Sequence, residues 1–541
     1  MEHILLVEPD YDNKYPPIGL MKIATYYKSK GDYVEFYKGK APYNLISKMD
    51  RVYIATLFTF YFDMTVDTIK HYLKYTSHKN VYVGGISATL MPDKYIAAVG
   101  NINVLTGQLT SSNILGYSDN VNIDILPLDY DILDDVDYDY GVSDNFFAYS
   151  TRGCPRKCKF CAVQTLEPEF INTNHLKNQI EDVRNIYGDK RHIMMMDNNV
   201  IFSKELEKIC HDLNALGFIK DQATYIPPNP AELFYKKIRR RVTQGLSTWK
   251  IEDAFYLYLV SFAKRIKKAD IQASIQLVIQ QIEESDSKRE VYYEHETFIV
   301  QTVEKYRAKK PLQRYVDFNQ GLDARLLTEE KMAILSRLPL RPFRLAYDDL
   351  KTTDEYIRAF KVAYKYGVRH FSNYMLYNFN DTPEELWKRV YNNIVLYESY
   401  EDVTAFSFPM KYAPVDRTDR NYVGKHWNKK YLSAMNVILN VTKGVIAKER
   451  DFFERAFGKS EEEFLLILSM PNEFIKYRAF FEDNGLIDAW KKKFIVLTQE
   501  ERAAFLCQLT DNNISEKYKQ ISKYYSITKS NLKDIDIQDY L

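Results

Sequence analysis

Cysteine is scarce in this chain, with five among 541 residues. An odd, sparse set of this kind excludes the disulfide framework that staples small secreted domains. Glycine and proline are also few, at 19 and 18, which excludes collagenous and low-complexity architectures. Lys plus Arg (74) nearly equals Asp plus Glu (73), so the chain as a whole lacks the basic excess that neutralising a phosphate backbone demands. The opening stretch MEHILLVEPDYDN has no basic leader and only a short apolar run, which predicts neither a secretory signal nor a membrane span and points to a cytoplasmic location. What is present is ordinary for folded proteins: 46% hydrophobic and 27% charged residues, enough for packed cores in about two or three domains.

Within residues 1–110, HILLVEP, IGLMKIATYYKSKG, RVYIATLF, MTVDTIKHYLKYTS and NVYVGGIS alternate apolar runs with amphipathic stretches. Strand, helix, strand, helix, strand is the expected order, as in a doubly wound parallel sheet. Gly84 and Gly85 follow a strand, where backbone either approaches a ligand or makes a plain turn. Residues 111–145 hold many Asp and no Lys or Arg, the pattern of an exposed acidic connector. From 146 to 415 the strand candidates FFAYS, HIMMM, YVDFNQ, FRLAYD, HFSNYMLYN and VTAFSFPM recur with helices between them, predicting a partial (β/α) barrel. A helical insertion at about 225–312 breaks that rhythm, and residues 416–541 read as a helical C-terminal region. The insertion carries the basic clusters KKIRRR (Lys236 to Arg241), KRIKK (Lys264 to Lys268) and KYRAKK (Lys305 to Lys310). These are either solvated helix faces or a track for nucleic-acid phosphates.

Three of the five cysteines crowd into TRGCPRKCKFC, as Cys154, Cys158 and Cys161. Three thiolates leave one position of a tetrahedral zinc site unfilled, whereas they suit three corners of an iron–sulfur cube. A zinc site completed by a distant His or Cys stays open, although Cys210 and Cys507 stand alone and read as buried small hydrophobes. CPRKCKFC, with the aromatic Phe160 before its last cysteine and the strand-like FFAYSTRG leading in, resembles the signature loop of radical S-adenosylmethionine (SAM) enzymes. The resemblance implies that the three cysteines bind a four-iron four-sulfur cluster whose free iron takes SAM, that one electron cleaves SAM, and that a flavodoxin or ferredoxin supplies the electron. VGGISATLMPDKY and PPIGLMKIATYYKSKG resemble the cobalamin-binding-type domain that often precedes such a barrel.

Residue by residue, the resemblance places Asp197 and Asn198 of HIMMMDNNVIF near the SAM amino group, and Asp348 of FRLAYDDL near its ribose. It places Asn378 of YMLYNFNDTPEE near the cofactor, with Thr382 and Pro383 opening a helix. In YVDFNQGLDARLL it turns Gln320, Asp323 and Arg325 to the barrel mouth, Arg325 as a bidentate partner for the SAM carboxylate. Each polar residue has an alternative as a helix cap or buried pair. The N-terminal region has no DxHxxG, so no lower histidine ligand to cobalt is expected and cobalamin stays open. No second cysteine cluster appears, which argues against methylthiotransferases. Two other readings compete: a nucleic-acid-binding module with a structural metal or iron–sulfur site, and an electron carrier, which ordinarily supplies four cluster ligands. The substrate is not legible.

Overall fold

The computed structural model describes residues 1–142, 144–511, 513–531 and 537–540; position 143 of the acidic connector and positions 512, 532–536 and 541 of the C-terminal region lie outside the described residues. Five strands pair in one parallel sheet: β1 (His3–Glu8), β2 (Tyr33–Lys38), β3 (Arg51–Thr56), β4 (Val81–Gly85) and β5 (Asn103–Leu105), in the order β2-β1-β3-β4-β5. Strands covered on both faces read as unbroken apolar runs, and β1 does so. Ile4 and Leu6 join one core with helix Ile18–Ser29, while Leu5 and Val7 join another with helices Phe62–Leu73 and Pro92–Val99. Strands β2 and β5 are additional to the three that the apolar runs predict. Both are edges: β2 carries Glu35 and Lys38 in a mixed pattern, and β5 has three residues. Gly85 holds φ +114°, and a Cβ there would lie 2.4 Å from the Thr56 carbonyl oxygen. The glycine pair therefore serves the close passage of β4 beside β3.

The remaining strands are β6 (Asn145–Ala148), β7 (Thr151–Arg152), β8 (Ile171–Asn172), β9 (His192–Met195), β10 (Ala223–Tyr225), β11 (Leu312–Gln313), β12 (Val316–Phe318), β13 (Phe343–Ala346), β14 (His370–Tyr377), β15 (Thr404–Lys411) and β16 (Ile446–Ala447). Strands β6, β9 and β12 form one parallel sheet; β13, β14 and β15 form another, with β16 antiparallel at its edge. Parallel bridges from Val316 to Leu340 and from Leu322 to Leu345 connect the two. The parallel strands thus follow one another in space in chain order. The molecule is a mixed α/β protein in which helices separate parallel strands.

The acidic stretch departs from its expectation. Instead of an exposed connector, the structure buries Leu115, Ile123, Ile132 and Tyr140 fully and turns the carboxylates onto cations. Asp131 meets Lys236 at 3.0 Å, Asp134 meets Lys237 at 2.8 Å, Asp135 meets Arg240 at 2.8 Å and Asp137 meets Arg241 at 3.0 Å. A run with no cations of its own is complemented by KKIRRR on helix Pro230–Thr243. That basic cluster is accordingly neutralised within the molecule, with Arg239 held by Glu296.

The segment from 226 to 311 leaves and re-enters through the antiparallel pair β10 and β11. Its five helices, Pro230–Thr243, Trp249–Ala263, Ala269–Glu284, Lys288–Glu294 and Glu296–Tyr306, enclose their own core, where Phe234 and Phe255 stack with centroids 4.0 Å apart. A further core around Phe474, Trp490 and Phe505 organises the helices near the C-terminus. Among the described residues no helix is long and apolar enough to cross a membrane.

His192 opens β9 with its ring stacked on Tyr315 and its Nδ1 accepting the Tyr315 N–H at 3.1 Å. Burial, aided by Arg191, Arg314 and Arg341, pushes its pKa down to about 4. A depressed folded-state pKa contributes stability that is complete above the unfolded value near 6.5 and is lost as pH falls from there toward 4. Urea titrations at several pH values across that window will show the stability difference between wild type and His192→Asn shrinking as pH falls.

Candidate functional site

The cysteine loop is built as an excursion from the end of β6. Thr151–Arg152 (β7) pairs antiparallel with Ile171–Asn172 (β8), closing residues 153–170 at the neck. Gly153 has φ +74°, and a Cβ on it would lie 2.1 Å from the Glu169 carbonyl oxygen, so only glycine passes there. Behind the neck, Arg152 donates to Asp124 at 2.5 and 3.1 Å and to Glu167 at 2.9 Å, with its guanidinium 3.3 Å from the centre of the Tyr149 ring. Lys22, from helix Ile18–Ser29, donates to the same Asp124 carboxylate at 2.7 Å. Burial pushes Lys22 down to about 8, with Asp124 opposing the shift and Arg152 adding to it. The other Glu167 oxygen accepts from the Gly153 N–H and the Asn198 amide, both at 2.7 Å. A chain of buried charges therefore runs from the N-terminal sheet to the loop backbone.

Within the loop the three thiols are half-buried and free. The Cys161 N–H donates to the Cys158 carbonyl at 3.0 Å, and the Gln164 amide caps that carbonyl at 3.0 Å. Burial raises the Cys158 and Cys161 thiols above their ordinary value. The Arg325 charge opposes this at Cys158, and the other loop cysteines and Asp348 add to it at both thiols. Phe160 packs edge-to-face on Phe379 with centroids 5.7 Å apart, fastening the loop tip to the turn after β14.

The structure sorts the remaining predicted residues. Asp348, at the end of β13, and Arg325 both bear on the thiols. Asp348 accepts the Leu376 N–H at 2.9 Å, and burial lifts its carboxyl above the usual range. Arg325 is already chelated: it donates to both oxygens of Asp323 at 2.6 and 3.0 Å, and Arg156 from the cysteine loop reaches the same carboxylate at 2.9 Å. Although burial acts upward on Asp323, its two arginines hold it below the usual carboxylate value. Gln320 is exposed beside the β12 turn.

Four residues depart from their expected placement. Asp197 does not point outward. It is buried, and its carboxylate accepts the N–H and the hydroxyl of both Ser150 and Thr151 at 2.5 to 3.1 Å, which makes it the pin of the loop's lead-in. Asn378 is fully buried at φ +69°; its amide donates to the carbonyls of Tyr412 and Tyr422 at 3.1 Å and accepts from the Gly424 N–H at 2.7 Å. With both of its N–H donors used, it clamps two loops together. Cys507, expected in a core, is exposed, whereas Cys210 is buried and its thiol is pushed up to about 12. Asn198 is turned to Glu167 rather than to the loop mouth. Thr382 does open helix Pro383–Glu398, through a capping box with Glu385.

Two functional neighbours escaped the sequence reading. Asn199, one position beyond the candidate pair, donates to Cys154 Sγ at 3.4 Å, and its own side-chain oxygen is buried without a hydrogen-bond partner. Arg389, fully buried, donates to the carbonyls of Tyr347 and Leu376 at 3.2 and 2.8 Å and to Asp381 at 3.0 Å. It thereby ties together the ends of β13 and β14. Neither spacing nor periodicity marks such residues; only the DNN run after HIMMM bore a hint of the first.

The donor set suits an iron–sulfur cluster in chemistry: three sulfurs with coupled charges on one closed loop, an amide donor to one of them, and an open fourth position. Among the described residues no group of three or more His, Cys, Asp or Glu side chains stands ready to hold a metal ion. The fit therefore lies in donor type and loop anchoring rather than in a preassembled cage.

No protein-family profile matches the chain, and no curated protein matches it. Among solved structures, it is similar to the radical S-adenosylmethionine methyltransferase TsrM from Kitasatospora setae, with cobalamin and a four-iron four-sulfur cluster bound. That likeness has a TM-score of 0.42 and 12% identity and covers 77% of each chain. A second is apo, selenomethionine-labelled OxsB, a cobalamin-dependent S-adenosylmethionine radical enzyme, with a TM-score of 0.37 and 10% identity over 95% of this chain and 71% of that one. Both are distant likenesses, and the chemistry of this chain is read from its own side chains.

Replacing Asp197 by Ala strands four buried donors, each costing about 1–3 kcal/mol when unsatisfied. Partial relaxation leaves an expected loss of about 3–5 kcal/mol, read by chemical denaturation. An Asp197→Ala protein within about 1 kcal/mol of wild type would contradict the pinning role.

Proposed function

We propose that this chain is a radical SAM enzyme, an α/β protein whose strands β6, β9, β12, β13, β14 and β15 form a partial barrel behind a cobalamin-binding-type N-terminal domain. The observation that carries the reading is the CxxxCxxC loop. It leaves the end of a parallel strand, is closed at its neck and anchored by charged groups, and presents three half-buried thiols with Asn199 on the first of them. Cys154, Cys158 and Cys161 would hold a four-iron four-sulfur cluster, which when bound supplies the electron for reductive SAM cleavage. Asn199 steadies the Cys154 sulfur by donating to it, and the Arg325 cation at Cys158 favours the thiolate that metal binding requires. Asp348 stands as an acidic group whose charge reaches Cys158 and Cys161. Asp197, Arg152 and Glu167 act on the backbone that carries them. The electron comes from a flavodoxin or ferredoxin, and the substrate enters past the helical insertion. We assign residues 1–110, 111–145, 146–415 and 416–541 as N-terminal domain, connector, catalytic domain and C-terminal domain.

Whether cobalamin takes part is a question of products. Methyl transfer through cobalamin yields S-adenosylhomocysteine, whereas hydrogen abstraction yields 5'-deoxyadenosine. The protein reconstituted anaerobically with iron and sulfide, then given SAM and a strong reductant, is expected to form 5'-deoxyadenosine. The Cys158→Ala protein is expected to lose both the visible cluster absorbance and the product while unfolding at an unchanged denaturant midpoint. SAM cleavage retained by Cys158→Ala would refute the reading.

A further inference from the structure

Three basic clusters lie on the insertion, and the structure separates them. Lys236 to Arg241 is engaged by the acidic segment and by Glu296. In the other two, Arg307 and Lys309 are paired, both with Glu304. Lys264, Arg265, Lys267, Lys268, Lys305 and Lys310 are exposed and join no ion pair among the described residues; in their neighbourhood Glu304 is already taken by Arg307 and Lys309, and Asp270 stands exposed at the start of helix Ala269–Glu284. A protein of nearly balanced charge has thus paired one cluster internally and left two facing solvent side by side.

Between them lies a cleft of about 300 Å³, walled by Pro227, Pro228, Tyr258, Phe262 and Tyr306 and rimmed by Arg265 and Arg307. Tyr258 stands in a row of stacked rings, 5.6 Å from Phe255 and 5.7 Å from the buried Phe262, so the cleft has an apolar side. Arg307 is fixed in place by its bond to the Pro227 carbonyl at 2.6 Å and by Glu304. Arg265 has only Ser261 as a partner, at 3.1 Å, so most of its donors are open. Both guanidinium charges act on the Tyr258 hydroxyl. The open Arg265 and the fixed Arg307, beside the half-buried rings of Tyr258 and Tyr306, match a phosphate attached to a planar base, the arginines taking the oxygens and the rings taking the base.

We propose that this cleft is a nucleotide-phosphate site, with Arg265 and Arg307 on the phosphate and Tyr258 and Tyr306 offering faces to the base, and that the flanking lysines extend it along a single strand. The test uses the full chain and needs no SAM chemistry, so it stands or falls apart from the cysteine loop. Fluorescence anisotropy is followed with labelled single-stranded oligouridylate and oligodeoxythymidylate. AMP and inorganic phosphate serve as competitors. Four phosphate contacts predict a loss of roughly 50-fold in affinity between about 50 and about 200 mM salt, from a slope of about 0.7 per contact. Arg265→Glu combined with Lys268→Glu, both exposed and harmless to the core, is expected to weaken binding at least about tenfold and to flatten the salt slope by roughly 1.4. Tyr258→Leu is expected to weaken it by roughly 5-fold or more through lost stacking. Lys237→Glu is expected to leave it unchanged, because Lys237 already faces Asp134. Displacement of the strand by AMP at low concentration assigns the site to a free nucleotide; failure of AMP to compete assigns it to the strand. Absence of binding by both strand and AMP, or equal binding by the Arg265→Glu/Lys268→Glu protein, would overturn the proposal.

Discussion

The chain of buried charges Lys22, Asp124, Arg152 and Glu167 is the constraint on which the rest of the molecule depends. Lys22 belongs to the first helix, Asp124 to the acidic segment, and Arg152 and Glu167 to the two sides of the cysteine loop. Taking such groups out of water is costly, and the cost is recovered only when every partner is in place. Here each carboxylate has at least two donors, and the arginine has two carboxylates and an aromatic face. The network therefore tolerates little displacement of the loop relative to the N-terminal sheet. Glu167 passes that rigidity directly to the Gly153 N–H, the residue before the first cysteine.

A second layer of fixation works by hydrogen bonding rather than charge. Asp197 gathers the two residues leading into the loop, Asn378 joins the turn after β14 to the segment around Tyr422, and Arg389 holds the ends of β13 and β14. All three lie near the carboxyl ends of parallel strands, where backbone groups leave the sheet without ladder partners. Buried backbone carbonyls and N–H groups must find partners somewhere, and these side chains supply them. Polar residues placed there by family resemblance as cofactor ligands turn out to satisfy backbone and leave their neighbours, Asn199 above all, nearer the thiols.

The acidic segment shows the same economy at larger scale. Asp131, Asp134 and Asp135 lie along a short 3₁₀ turn, and Lys236, Lys237, Arg240 and Arg241 share one helix face, so their matching fixes the helical insertion against the connector. The Lys236 and Lys237 pairs lie near the surface and each contribute little, about 0–1 kcal/mol, whereas Asp135 and Arg241 are buried in theirs; the four in register orient one element on another. Pairing of that cluster also leaves the two remaining basic clusters as the exposed positive surface of the insertion, beside its aromatic cleft.

Much of this was legible in one dimension. Apolar runs such as HILLVEP and NVYVGGIS marked buried parallel strands, helical periodicity marked the insertion, and three thiols in CPRKCKFC marked the candidate site, because side-chain type and spacing alone set those properties. Edge strands β2 and β5 were not legible, since an edge is only half covered and its pattern is mixed or short. The exposure of Asp131 to Asp137 and of Lys236 to Arg241 was not legible either, because each run looks solvated until the other is folded onto it. The roles of Asp197, Asn378, Asn199 and Arg389 were decided by the tertiary structure alone. Their partners lie 34 to 47 residues away in sequence, apart from the near contacts of Arg389, and a side chain's direction at the end of a strand is set by which backbone groups remain unpaired once the sheets have formed.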